Sequence, residues 1–152
     1  MKIVNASYQI MDPDVDDPKA YRDILKELEE CGRIAYKSEN QITDESAEKM
    51  IQRLIRDGHE SVLEHKSMRV KFIVDRGVSH ELVRHRLASF TQESTRYCNY
   101  AQDKFGNEIT VIRPVWFRGD NASGAFNTWS RAMVDCENAY FLSLEQGLTP
   151  QQ

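Results

Sequence analysis

Between residues 76 and 97, Arg76, Arg84, Arg86 and Arg96 are set against only Glu81 and Glu93, a local +2 in a chain whose formal charge is −4. His80 and His85 fall in the same stretch. A compact cationic segment in an acidic chain suits an anion, most simply a phosphate. Arginine forks grip phosphate through paired N–H donors, and the Ser94 hydroxyl is a further donor. Uncharged Gln92 and Thr95 can read the edge of a base or ring. The plain alternative is a solvated surface helix with scattered charges and no ligand.

Those residues need elements to hold them. Ser79 is placed to cap a short helix carrying Leu82, Val83 and Leu87, after Gly77 breaks the preceding strand. On a helix, three consecutive residues spread over about 200°. Arg84, His85 and Arg86 would then not share one solvated face. Beyond a break near Ser89, an extended Glu93–Tyr97 would project Ser94 and Arg96 the same way.

Around this stretch the pattern alternates helices and strands. Residues 2–10 read as a first strand and Asp12–Pro18 as a loop, with Pro18 suited to open a helix over Lys19–Tyr36 that Gly32 weakens near its end. Ser38–Gln41 is a connector. Thr43 or Asp44 is expected to cap a second helix, with Ala47, Met50, Ile51, Leu54 and Ile55 on one face and Gly58 ending it in a left-handed cap. Polar residues 59–65 precede a half-buried strand in which Met68, Val70, Phe72 and Val74 alternate with Arg69, Lys71, Ile73 and Asp75. Residues 107–112 read as another strand ended by Pro114, and 121–124 as a turn. A long helix spans 125–146, its face formed by Phe126, Trp129, Met133, Cys136, Tyr140 and Leu144, with Gly147 ending it. The order predicts an α+β class, helices packed on a small antiparallel or mixed sheet.

The chain's 152 residues suit one domain, and its 40% hydrophobic and 29% charged composition is that of a folded globular protein. No apolar run reaches the roughly 20 residues that span a bilayer, and residues 1–8 lack a signal-peptide core. Cys31, Cys98 and Cys136 form no CxxC pair, so reduced thiols and a cytoplasmic setting are expected. The acidic balance argues against general nucleic-acid binding.

The ordered pattern Arg84-His85-Arg86, seven residues, then Ser94 resembles the RHR-x7-S signature of the flavin-dependent thymidylate synthases, the ThyX or thymidylate synthase-complementing family. Leu87-Ala88-Ser89-Phe90 and the run to Arg96-Tyr97 are similar too. His59-Glu60-Ser61 with Glu64-His65 resembles the family's HE[ST]-x-x-EH stretch, and Glu145–Pro150 a later segment, so the likeness extends over essentially the whole chain. It implies a single ThyX-like catalytic domain over 1–152 that makes dTMP from dUMP by reductive methylation. Methylenetetrahydrofolate would supply the carbon, and FAD would carry reducing equivalents from NADPH or NADH. By the same resemblance Ser61, Arg84, His85, Arg86 and Gln92 would contact FAD. Glu81, Leu82, Val83, Arg84, Gln92, Glu93, Ser94, Thr95 and Arg96 would cradle dUMP, with Ser94 and Arg96 near its phosphate. His59 would lie beside the flavin as the catalytic candidate. The implied assembly is a homotetramer with sites built from more than one subunit.

The likeness departs from the family at the end. Thr149-Pro150-Gln151-Gln152 is a helix-start signal with no helix behind it. The chain stops before the family's Ala-Arg pair, its downstream FAD-binding cluster and the Arg that would polarise the uracil. The expectation is a domain lacking its C-terminal part, inactive by itself while its parent is active.

Other constellations read as structural. His59 and His65 are six apart, not the four an HExxH zinc helix needs, so no metal is expected. Ser94 has a nucleophile's type but no His–acid relay around it. Cys98 and the Phe126–Trp129–Met133 group read as packing, and the Asp12–Asp17 run as a solvated loop. Two other functions remain open: a non-catalytic nucleotide- or phosphate-binding module using the Arg84–Arg96 patch, and a structural subunit whose patch meets an acidic partner.

Overall fold

Asp17 and Pro18 start the first helix together. Proline presets the helical φ, and the Asp17 carboxylate accepts the Lys19 N–H at 2.9 Å. In the computed structural model, which describes residues 1–14, 16–117 and 124–152, the elements run β1 (Lys2–Val4), β2 (Ser7–Asp12), α1 (Pro18–Tyr36), α2 (Ser46–Arg56), β3 (Arg69–Ile73), α3 (Arg76–Leu82), β4 (Thr110–Ile112) and α4 (Gly124–Glu145). The class is α+β as expected. The strands form two separate pairs, β1 with β4 and β2 with β3, rather than one sheet. The single strand expected over residues 2–10 is two, because its halves hydrogen-bond to different partners. The turn expected at 121–124 lies outside the described residues except for Gly124.

The chain divides into two units, Tyr8–Lys71 and a second made of Met1–Ser7 with Phe72–Gln152. In Tyr8–Lys71 the core is Leu28, Met50, Ile51 and Leu54, flanked by Ile24, Leu25, Val62 and Leu63. Burying side chains of this size contributes about 1.5–3 kcal/mol each. Ala47 joins the buried face of α2, but Ile55 is exposed. Gly32 has a packing role in α1 besides its cost in helix propensity. It is buried mid-helix, where an added Cβ would lie 2.8 Å from Met50 Cε and 3.3 Å from Leu54 Cδ1, so its missing side chain lets α2 approach.

Neither Thr43 nor Asp44 caps α2: the cap residue is Glu45, with no side-chain cap bond. The Ser46 hydroxyl accepts the Thr43 N–H at 2.8 Å and lies 2.9 Å from Glu29, while Asp44 turns to Lys26 at 3.5 Å. Fully buried Glu29 receives two bonds from Arg33, at 2.7 and 3.0 Å, and Arg33 reaches Gln41 at 3.1 Å. Gly58 ends α2 as predicted, at φ +72°. Its N–H meets the Ile55 carbonyl, and the His59 N–H the Leu54 carbonyl at 2.8 Å. The strand over 68–74 buries less than expected: Val70 and Val74 are half-buried, while Met68 and Phe72 are exposed.

In the other unit β1 runs parallel to β4, with Lys2 opposite Thr110 and Val4 opposite Ile112. Lys2 N–H to Ile109 and Arg113 N–H to Val4 extend the ladder at both ends. On α4 the side chains of Phe126, Trp129, Met133, Tyr140 and Leu144 are half-buried, with Phe117 ringed by Phe126 at 5.6 Å and Trp129 at 5.9 Å. Cys136 is exposed, and the buried residue at its side is Glu137. Glu137 accepts the Ile109 N–H at 2.7 Å and pairs with the Met1 ammonium at 3.0 Å. Gly147, at φ +96°, ends α4.

Candidate functional site

The helix before the cationic stretch is set by Asp75, not Ser79. The Asp75 carboxylate accepts the Val78 N–H at 3.0 Å, and Gly77 and Ser79 lie inside α3. α3 ends at Leu82. Two tight turns follow, Arg84 N–H to Glu81 at 3.1 Å and His85 N–H to Leu82 at 3.0 Å. Arg84, His85 and Arg86 therefore lie past the end of α3, in and just beyond these turns, and all three are exposed. Leu87 follows at φ +59° and is 98% exposed.

The second half of the motif is a turn rather than a strand. The Ser94 carbonyl accepts the Tyr97 and Cys98 N–H groups at 3.3 and 3.0 Å, and its hydroxyl accepts the Arg96 N–H at 3.3 Å. That local bonding competes successfully with extension. Two bonds brace this loop against α3: Gln92 Nε2 donates to the Ser79 carbonyl at 3.2 Å, and Arg76 donates to the Glu93 carbonyl at 3.5 Å. Glu81, Val83, Gln92, Glu93, Thr95 and Arg96 are exposed, and Leu82 and Ser94 are half-buried. The Tyr100 hydroxyl donates to the Glu93 carboxylate. Burial, then that bond, push the Tyr100 phenol well above its ordinary range. Among the described residues Arg84, Arg86 and Arg96 have no carboxylate partner, so the loop presents uncompensated positive charge.

His59 and Ser61 belong to the unit Tyr8–Lys71. His59 sits just past the Gly58 cap, and its Nδ1 lies 2.9 Å from the Tyr36 hydroxyl. Ser61 is exposed in the 3-10 turn Glu60–His65, which Val62 and Leu63 anchor to the core. Among the described residues no three His, Cys, Asp or Glu side chains are grouped to hold a metal ion. Sequence reading missed Tyr100, Glu137 and the buried Glu29–Arg33 pair. For Glu137 a signal existed: Met133, 137, Tyr140 and Leu144 keep the apolar period of α4, and the acid occupies a stripe position.

An α+β chain with an exposed Arg-His-Arg turn braced beside a serine turn has the donor set that a phosphate-bearing nucleotide or flavin requires. The chain belongs to the thymidylate synthase complementing protein family, whose model matches residues 19–152. The match begins at Lys19, so β1 and β2 lie outside it. The flavin-dependent thymidylate synthase of Pyrococcus furiosus is 32% identical over 120 residues, covering 77% of this chain and 47% of the relative. That of Geobacter sulfurreducens is 38% identical over 92 residues, 60% of this chain and 37% of the relative. A shorter stretch of 59 residues is 46% identical to the Thermococcus kodakarensis enzyme, 37% of this chain and 23% of that one. The chain thus spans about half or less of the curated relatives it matches. No solved structure matches it.

Proposed function

We propose that this chain serves flavin-dependent thymidylate synthesis, the reductive methylation of dUMP to dTMP. Methylenetetrahydrofolate is the one-carbon donor and NADPH the reductant, in a cytoplasmic homotetramer whose copies share sites. The reading is supported above all by the Arg84-His85-Arg86 turn, exposed and, among the described residues, without a carboxylate partner beside the Ser94 turn. FAD suits these donors: Arg84, His85 and Arg86 would hold its phosphates, with Ser61 and Gln92 as further contacts. When bound, FAD supplies hydride chemistry that no amino-acid side chain offers. Ser94 and Arg96 would grip the dUMP phosphate through hydroxyl and guanidinium. Glu81, Leu82, Val83, Glu93 and Thr95 would shape the pocket around its sugar and base, and His59, steadied by Tyr36, would orient the ring system beside it.

The test is flavin absorbance after purification together with dUMP-dependent NADPH oxidation. Both are run on this chain and on the complete gene product, whatever its length. We expect bound flavin and dUMP-dependent turnover in the complete product. A complete product that retains no flavin and oxidises no NADPH with dUMP present overturns the reading. Salt-sensitive oligonucleotide binding without flavin would instead favour the binding-module reading, because counterion release makes such binding fall steeply with salt.

A further inference from the structure

The signature loop carries its own competitor for any anion. Glu93 lies three residues before Arg96, and a mobile carboxylate at that spacing in a turn is a natural partner for the guanidinium. Yet Glu93 forms no ion pair among the described residues, and its carboxylate takes the Tyr100 hydroxyl instead. Tyr100 is itself held from several sides. Its N–H donates to the Tyr140 hydroxyl on α4 at 3.2 Å. Its ring stands 5.4 Å from Phe105 and 6.2 Å, edge-on, from Tyr140. Arg76 fixes the Glu93 carbonyl from the α3 side at 3.5 Å.

We propose that Tyr100 is a positioning residue for the anion site: its hydroxyl holds the Glu93 carboxylate away from Arg96, so that the guanidinium stays open to a phosphate. The inference rests on the phosphate-binding part of the function proposed above. The phenol suits this task because it remains a donor throughout the neutral range, its proton kept by burial and by the acceptor it meets. Nothing in the motif's spacing reveals it. Tyr100 lies outside the residues that resemblance assigns to either ligand, and its effect on the arginines runs through Glu93.

Tyr100→Phe removes the hydroxyl while keeping the ring against Phe105 and the N–H to Tyr140. Titration of the intact chain with inorganic phosphate, followed by amide NMR shifts of residues 84–97, reads the site directly. The expected result is about fivefold weaker phosphate binding at low salt, the scale of one exposed ion pair newly in competition. In a Glu93→Gln background the same substitution should cost nothing, because no carboxylate remains to swing. Glu93→Gln by itself sets the reference affinity for that comparison and should not raise phosphate affinity several-fold, a reading that stands even if Tyr100→Phe fails to fold.

Equal losses with and without Glu93 would make Tyr100 merely structural and overturn the proposal. A several-fold gain from Glu93→Gln would also overturn it, by showing that the carboxylate already competes. So would an unaffected Tyr100→Phe, or a native chain that binds no phosphate. Phosphate binding with the expected coupling, but no flavin and no dUMP turnover in the complete product, would sustain this inference while sinking the function proposed above.

Discussion

Glu29 shows how much one residue can hold. Its carboxylate is fully buried and meets Arg33 at 2.7 Å and Ser46 at 2.9 Å. Replacing it with Ala leaves the Arg33 guanidinium buried beside Gln41 without its counter-charge. That should cost about 3–5 kcal/mol in urea unfolding. Glu29→Leu with Arg33→Met should cost less than Glu29→Ala, since a buried pair removed whole leaves no orphan charge. Gly32 gives a graded test. Ala there gains about 1 kcal/mol of helix propensity but presses on Met50 Cε, the free end of a flexible chain, so the net change should stay within about 1 kcal/mol. Gly32→Leu has no space against Leu54 and Val62 and should cost about 2 kcal/mol or more. Unfolding midpoints separate the two cases.

At the scale of elements, what was legible depended on how local its cause was. Gly58 and Gly147 announced their helix ends because a left-handed cap is chosen by one residue and its neighbours. The Asp75 cap was missed because Ser79, four residues on, is an equally good capping type, and only packing selects between them. The break between β1 and β2 has no local marker, since it exists only because each half finds a different partner. For the site, the order of Arg84, His85, Arg86 and Ser94 was readable. Their conformation was not, because turn bonds to Glu81 and Leu82 replaced the helix.

Glu137 carries a prediction at this scale, as it ties α4 to the start of β1 and to Ile109, next to β4. Burial raises its pKa, but the Ile109 N–H and then the Met1 ammonium outweigh that, leaving it below the ordinary 4.5. A carboxylate with a lowered folded pKa stabilises the fold above about pH 4.5 and loses that contribution as pH falls through the folded value. The Met1 ammonium, raised from 8.0 first by its bond to Glu137, has the opposite sense: its contribution is full below 8.0 and fades as pH rises through the folded value. Thermal melts should therefore fall below about pH 4, and Glu137→Gln should flatten that acid limb. An acid limb unchanged by the substitution would contradict this account.

Across the whole molecule, stability is unevenly shared. Among the described residues the buried apolar ones, Leu28, Ala47, Met50, Ile51 and Leu54, all lie in Tyr8–Lys71. Amides 86–93 make no backbone hydrogen bond among the described residues. Hydrogen exchange should be slowest in α1 and α2 around Leu28 and Leu54, and fastest over 86–93. Equal protection in both regions would count against this division. A loop that must fit itself around a ligand belongs at the less protected end.

The register that sets Lys2 opposite Thr110 has a consequence in time. During synthesis β1 emerges roughly a hundred residues before its partner, a wait of roughly 5–20 s at ordinary translation rates. Until Ile112 appears, Ile3 and Val4 have no ladder to join, while α1 and α2 are already free to pack together. Substitutions at Ile3 and Val111 should speed unfolding and leave the refolding rate almost unchanged, the kinetic mark of contacts made after the barrier. The strand made first is the one that settles last.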